Sequence, residues 1–327
     1  MRTRQLGNTD LQISVIGFGA WAIGGPDYAF GWGDQDDNDS VAAIHRAVDA
    51  GINWIDTAAI YGLGRSERVV ARAMKELGPR RRPYVFTKGS LVWDSAGQIS
   101  HSLKAASLRQ EVDDSLRRLE ADTIDLYQLH WAKPFGFEGV APDVEEGWTT
   151  LADLQKAGKI RHIGVSNFNV AEMARARAIA PIASLQPPYS MIRRAVEDEI
   201  LPYGLEHGIG VICYSPMAAG ILTGTMTRER AESLPANDWR SRHPELKEPK
   251  LSRNLALVEM LTRVGARLGG MTAGAVAVAW ALRHPAVTAA IVGFRNPSQV
   301  DGILGAASAS LSDADLETIA RALPPAT

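Results

Sequence analysis

The feature that most constrains this chain is an alternation. Eight short β-rich runs recur along it: SVIGFG (14–19), INWID (52–56), YVFTK (84–88), IDLYQLH (124–130), HIGVS (162–166), ASLQ (183–186), GVICY (210–214) and AAIVG (289–293). Stretches with helical spacing separate most of them. SVAAIHRAVDAG sets Val41, Ile44, His45 and Val48 on one face and stops at Gly51. SERVVARAMKEL, SLRQEVDDSLRRLE, WTTLADLQKAGK and VEDEILPYGLEHG read the same way, and NLALVEMLTRVGARLG and AGAVAVAWALRH are two helices in succession. Parallel strands need long crossovers, and helices supply them. Eight such units over roughly 250 residues plus insertions predict an α/β fold, a (β/α)8 TIM barrel. A single domain over 1–327 is expected. TRQLGNTDLQIS (3–14) reads as a hairpin that turns at GNTD and closes the bottom of the barrel. The long connections at 21–37, 131–143 and 222–252 all follow strands, which puts them on the C-terminal face, where barrels keep their chemistry. The last of them is polar and charged, and reads either as a mobile flap or as a solvated insertion.

In a closed barrel the C-terminal strand ends converge on one mouth. Here they carry Asp56, Lys88, His130, Ser166 with Asn167, Gln186, Tyr214, and Gly293 with Arg295 just beyond. Polar groups are poor core material, because burying one unpaired costs several kcal/mol (roughly 2–7). Each could simply begin a loop, but that reading serves one position better than seven. Asp56 and Lys88 fall on neighbouring strands at one height, and alone they are as easily a rim ion pair as a site. Tyr61, five residues after Asp56, changes the weighing. A free tyrosine has a pKa near ~10, too high for easy proton exchange at neutral pH. An adjacent lysine ammonium is expected to lower it, and the carboxylate to keep the lysine charged and aimed. His130 adds a donor for a carbonyl oxygen. Such a set protonates an oxyanion as it forms. It holds no nucleophile and no means of activating water, so a hydride carrier must supply the electrons.

GFGAWA (17–22) matches the dinucleotide pattern G-x-G-x-x-A, but GGPDYAFGWGDQDD follows it, which is no phosphate-binding helix. GFRNPSQVDG, after the eighth strand, is the better candidate. Asn296 is a good N-cap and Pro297 a good first helical residue, and free N–H groups there with Arg295 alongside suit a phosphate. A solvated arginine before an ordinary helix is the alternative. Tyr214 could stack on a flat ring.

These residues resemble the aldo-keto reductase family nearly end to end. DTAAIYGLGRSE looks like its first signature, and IDLYQLHW, GKIRHIGVSNF, LQPPY, CYSPMAAGILTG and IVGFRNPSQV look like the later ones in the family's order. The Trp after His130 is closer to the bacterial and potassium-channel-β-like branch. The resemblance implies a catalytic tetrad of Asp56, Tyr61, Lys88 and His130, with Tyr61 as general acid in reduction and base in oxidation. It implies Ser166, Asn167 and Gln186 on the nicotinamide carboxamide, Tyr214 stacked on the ring, and Ala20 and Trp21 close to the cofactor. Ser215, Pro216, Met217, Ala218, Leu222 and Gly224 would surround the pyrophosphate. Gly293, Arg295 and Gln299 would take the adenosine end, with Arg295 on the 2′-phosphate of NADPH. Many members carry an acidic residue and then Asn a few positions beyond Gln299. Gly302 and Ile303 stand there in this chain, so an adenine hydrogen bond is missing and NADH becomes possible. The implied function is an NADPH-dependent oxidoreductase that reversibly reduces an aldehyde or ketone to an alcohol. The alternative, from the family's regulatory subunits, is a nucleotide-binding redox sensor with slow turnover.

Aromatic side chains are available for a substrate wall at Trp21, Tyr28, Phe30, Trp32, Trp93, Trp131 and Phe135. No metal is expected, since the chain has no HExxH and no close histidine pair. His45, His207 and His284 fall in helical stretches and read as structural or solvated. Ser66 and Glu67 read as the start of the next helix. A net charge of −2 leaves no electrostatic footprint for nucleic acid. GAVAVAWAL (274–282) is too short to span a bilayer. The opening MRTRQLGNTD has no apolar signal region, and the one cysteine, Cys213, lies in an apolar run and permits no internal disulfide. A cytoplasmic enzyme for a small carbonyl or alcohol substrate is expected, as a monomer or a homo-oligomer.

Overall fold

The eight expected runs form the eight strands of a closed barrel in the computed structural model, which describes residues 1–134, 141 and 143–324. In chain order the strands are β1 (Thr3–Gln5), β2 (Gln12–Ser14), β3 (Ile16–Gly19), β4 (Trp54–Asp56), β5 (Tyr84–Gly89), β6 (Leu91–Trp93), β7 (Ile99–His101), β8 (Ile124–Leu129), β9 (Ile160–Ser166), β10 (Ser184–Gln186), β11 (Gly210–Tyr214) and β12 (Val287–Gly293). The barrel runs β3-β4-β5-β8-β9-β10-β11-β12 and closes from β12 back to β3, with every pairing parallel. The helices that cross between strands are α1 (Asp37–Asp49), α2 (Arg65–Leu77), α3 (Ala105–Arg118), α4 (Val144–Lys156), α5 (Val170–Arg177) and α6 (Ile200–Glu206). They are followed by α7 (Arg228–Glu232), α8 (Lys250–Arg267), α9 (Ala273–Leu282), α10 (Pro297–Asp301) and α11 (Asp313–Ala322).

β1 and β2 pair antiparallel around the GNTD turn and form the expected hairpin. Ser14 therefore belongs to the hairpin, and the barrel strand starts two residues later. Leu6, Leu11 and Ile13 are fully buried against Trp54, Phe86, Leu126 and Ile212, so the hairpin plugs the inside of the barrel from below. Two glycines permit this. Gly7 has φ +53°, and a Cβ on it would lie 2.6 Å from both Ala183 O and Gly210 N. A Cβ on Gly17 would lie 2.2 Å from the Trp54 ring. The second core fills the layer between strands and helices. α9 lies wholly within it, which explains its unbroken apolar sequence. Cys213 is buried there too, and burial pushes its thiol up to about 12. Among the described residues, no helix is long and apolar enough to cross a membrane.

A second hairpin, β6 with β7, was not foreseen. It follows β5 after a single residue, Ser90, whose φ of +85° turns the chain out of the barrel.

Candidate active site

Asp56 ends β4 opposite Phe86 of β5, and Lys88, two residues on, projects to the same interior face. Lys88 Nζ donates to Asp56 Oδ2 at 2.6 Å, to the Thr57 carbonyl at 3.0 Å and to the Tyr61 hydroxyl at 3.3 Å. Lys88 and Asp56 are both buried, with 0% and 3% of their side chains exposed. The chain leaves the barrel after Asp56 and turns back through the Tyr61 N–H bond to the Ala58 carbonyl, which returns the phenol over the ion pair. His130 stands one residue beyond β8. Its N–H donates to the Gly89 carbonyl at 2.9 Å, and its ring meets the Tyr61 ring edge-on with centroids 5.8 Å apart.

Ser66 and Glu67 lie in the first turn of α2, as expected, but their side chains do more than start it. Gly64, at φ +89°, occupies the N-cap of α2, and both residues lie buried inside the first turns. Ser66 Oγ donates to the Ala20 carbonyl at 2.8 Å and meets Thr57 Oγ1 at 2.9 Å. Glu67 accepts from Thr87 Oγ1 at 2.7 Å and from Arg118 Nε at 2.5 Å. The signature therefore braces its own loop between β3 and β5.

Burial dominates the electrostatics. It pushes the Asp56 carboxyl up and the Lys88 ammonium down, and their mutual attraction opposes both shifts. It holds His130 well below the ordinary histidine range, with Lys88 adding to the effect, so the imidazole is neutral at pH 7. The Tyr61 phenol lies well above its ordinary value of 10.0, raised first by burial and then by the Asp56 charge. The expected lowering by Lys88 does not appear, because burial of the phenol dominates and the Asp56 charge adds to the rise. The phenol is thus held as an acid until a negative charge must form on it, at which point Lys88 lies 3.3 Å away.

A cavity of about 610 Å³ opens over this cluster. Trp21, Tyr28, Phe30, Trp32, Leu91 and Trp131 line its near end, beside Tyr61 and His130. Trp93 is not on that wall. It sits on the β6–β7 hairpin with the Arg118 guanidinium 5.7 Å from its ring, and Leu91 takes the wall position. Phe135 lies outside the described residues.

Ser166, Asn167, Gln186 and Tyr214 line one side of the cavity as a bonded group. Ser166 Oγ donates to the Gln186 carbonyl at 2.9 Å, and Asn167 Nδ2 donates to the His130 carbonyl at 3.0 Å. Tyr214 donates to Asn167 Oδ1 at 2.9 Å, and Gln186 Nε2 donates to Asp56 Oδ1 at 2.8 Å. The amide expected to face a carboxamide is therefore also tied to the Asp56–Lys88 pair.

Ser215, Pro216 and Met217 line the cavity next. Asn167, Ser215, Ala218 and Ala219 all have φ between +50° and +58°. Left-handed backbone costs a non-glycine residue roughly 1–2 kcal/mol, and such strain gathers at functional sites. Ala20, Ala218, Leu222 and Gly224 stand off the wall. The Ala20 N–H donates to the Asp56 carbonyl at 2.8 Å, and Leu222 packs in the core.

Gly293, Arg295 and Gln299 line the far end with Ser298, Gly302 and Ile303. The α10 terminus is partly taken up already, because Asn296 Oδ1 accepts the Gln299 N–H at 3.1 Å, and just before it Gln299 Oε1 accepts the Arg295 N–H at 2.8 Å.

The segment after β11 closes over all of this. Thr225, Met226, Arg230, Trp239 and Arg240 line the cavity, and the segment is joined to the loop after β3. Trp32 bridges Asp238, the Trp239 N–H donates to the Gly31 carbonyl at 2.8 Å, and Trp239 stacks on Trp21 with centroids 5.1 Å apart. Sequence reasoning missed these residues. The signal available was a Trp-Arg pair inside a run otherwise free of aromatics.

The model of the Aldo/keto reductase family matches residues 15–324. The chain is 36% identical over 319 residues to "Aldo-keto reductase YhdN" of Bacillus subtilis (strain 168), covering 98% of this chain and 92% of that protein. It is 36% identical over 333 residues to the "NADH-specific methylglyoxal reductase" of Escherichia coli (strain K12), covering 96% of each. Among solved structures, the glycerol dehydrogenase AKR11B4 from Gluconobacter oxydans matches with a TM-score of 0.86 at 36% identity, over 98% of this chain and 94% of that one.

Proposed function

The chain belongs to the aldo/keto reductase family, and on that premise we propose that it is a nicotinamide-dependent oxidoreductase that interconverts an aldehyde or ketone with its alcohol. The observation that carries this reading is the contact of Lys88 with both Asp56 at 2.6 Å and Tyr61 at 3.3 Å on the floor of the cavity. NADPH or NADH would supply the hydride. The residues present fit such a group: a tyrosine flanked by amides, a strained run at 215–219, and an arginine at the far end. Ser166, Asn167 and Gln186 would hold the carboxamide beside Tyr214, the 215–224 segment the pyrophosphate, and Gly293, Arg295 and Gln299 the adenosine end.

In reduction, Tyr61 passes its phenolic proton to the substrate oxygen while hydride arrives at the carbonyl carbon. The neutral His130 donates a hydrogen bond to that oxygen and fixes the carbonyl. The phenolate left behind faces the Lys88 ammonium, which Asp56 keeps charged and aimed. In oxidation the same atoms move in reverse, with Tyr61 as base. Aromatic side chains at the near end suit an apolar or compact carbonyl. Two relatives are named for methylglyoxal and glycerol, so short carbonyl and polyol compounds belong in the first screen.

Tyr61→Phe tests the reading. The variant should still bind NADPH or NADH, measured by nicotinamide fluorescence, while turnover of an aldehyde panel falls by about 10²–10⁴-fold. Unchanged turnover would overturn the assignment. Tight binding by the wild-type protein with no turnover of any carbonyl would favour a nucleotide-binding regulatory role instead.

A further inference from the structure

The far end of the cavity carries an unusual commitment. Arg295 lines it, yet its guanidinium is turned onto the loop after β3. Its Nε donates to Gln35 Oε1 at 2.6 Å, Nη1 to the Trp32 carbonyl at 3.2 Å, and Nη2 to the Asp34 carbonyl. Gln35 returns the contact, since its Nε2 donates to the Arg295 carbonyl at 2.9 Å and to Ser40 Oγ at 2.9 Å. The loop is held from its other side by Arg65, whose Nη2 donates to the Gln35 carbonyl at 2.7 Å. Gln35 is thus a fixed clasp rather than a free surface amide.

A guanidinium has five N–H donors, of which Nε contributes one. A phosphate that takes the Nε edge of Arg295 in a two-pronged contact must therefore displace Gln35. The surroundings invite an anion all the same. Arg230 and Arg240 line the same cavity and repel Arg295, while Asp34 and Asp238 attract it. Arg240 is itself paired with Asp238 at 2.6 Å. A 2′-phosphate gains the Nε edge of Arg295, and with it a two-pronged contact there, only by breaking the clasp, whereas a ribose carrying a free 2′-hydroxyl needs no guanidinium and leaves it intact.

We propose that Gln35 is a coenzyme-specificity residue: by holding Arg295 against the loop at 32–35, it lowers the affinity for NADPH relative to NADH. This rests on the reading of the cavity as a nicotinamide-dinucleotide site.

The test measures dissociation constants of the full-length protein for NADPH and NADH by quenching of intrinsic tryptophan fluorescence. Gln35→Ala should raise the NADPH-over-NADH affinity ratio by about tenfold, the scale of one hydrogen bond to a charged group. Gln35→Glu, which holds the guanidinium more tightly, should lower the ratio below that of the wild type. Adding Arg295→Ala to Gln35→Ala should abolish the gain. An unchanged ratio in Gln35→Ala overturns the proposal, as does a gain that survives without Arg295. Wild-type protein that binds neither dinucleotide overturns the cavity reading as well, which separates the two failures.

Discussion

At the scale of single residues, position along the strands was enough to bring Asp56, Lys88 and His130 together, because barrel geometry carries every strand end to one mouth. What those residues do to one another was less legible. The direction in which Tyr61 titrates depends on burial and on the Asp56 charge beside it, and neither effect is written in the spacing. The double engagement of Gln186 was equally hidden, since its partner Asp56 lies 130 residues away. The buried pair makes a direct prediction. Asp56→Asn leaves Lys88 enclosed with no counter-charge, which should cost about 3–5 kcal/mol of stability. Urea unfolding should show that loss, and turnover should fall with it because nothing then aims the ammonium at Tyr61. Undiminished stability would mean that Lys88 is already neutral in the native protein.

At the scale of elements, short β-rich runs and the 3.6-residue spacing between them identified the barrel strands and crossover helices, and the errors fell where neither signal applies. The β6–β7 hairpin escaped notice because it follows β5 after one residue and its strands are only three residues long. The segment after β11 was ambiguous because its sequence is mostly polar, although Met226, Ala231 and Leu246 reach the core while Trp239 meets the loop after β3. Helix α3 carries a consequence of its own. Its Glu111 accepts the Ser90 N–H at 2.8 Å and the Ser107 hydroxyl at 3.0 Å, just behind the strand end that bears Lys88. Burial pushes its carboxyl from 4.5 up to about 7, opposed by those bonds and by Arg118, while Asp114 raises it further. A raised folded-state value stabilises the protein in full below 4.5, and the contribution is lost as pH rises through 7. That interval corresponds to about 3 kcal/mol. Glu111→Gln removes the titration and should flatten the profile. Urea midpoints from pH 5 to pH 8 should show the wild type losing stability relative to the variant as pH rises. A constant difference would refute the assignment.

At the scale of the whole molecule, the barrel separates what holds it together from what does its chemistry. The lower half is closed by a hairpin that the sequence announced through GNTD and its flanking apolar residues. The upper half is closed by loops far apart in the chain, such as Trp32 and Asp238, whose meeting no local pattern foretells. Conservation of fold and variation of function can then proceed at opposite ends, as barrel enzymes require. The division is testable at Leu11, which is fully buried in the hairpin plug beside Trp54 and Phe86 and lies at the end away from Tyr61 and Lys88. Leu11→Ala should leave a cavity there and cost about 2–5 kcal/mol. If the ends are independent, the urea midpoint falls while kcat/KM of the folded protein stays at the wild-type value. A fall in kcat/KM under conditions where the variant is fully folded would show instead that the plug sets the strand ends, and that the floor of the barrel takes part in positioning the Asp56–Lys88–Tyr61 cluster.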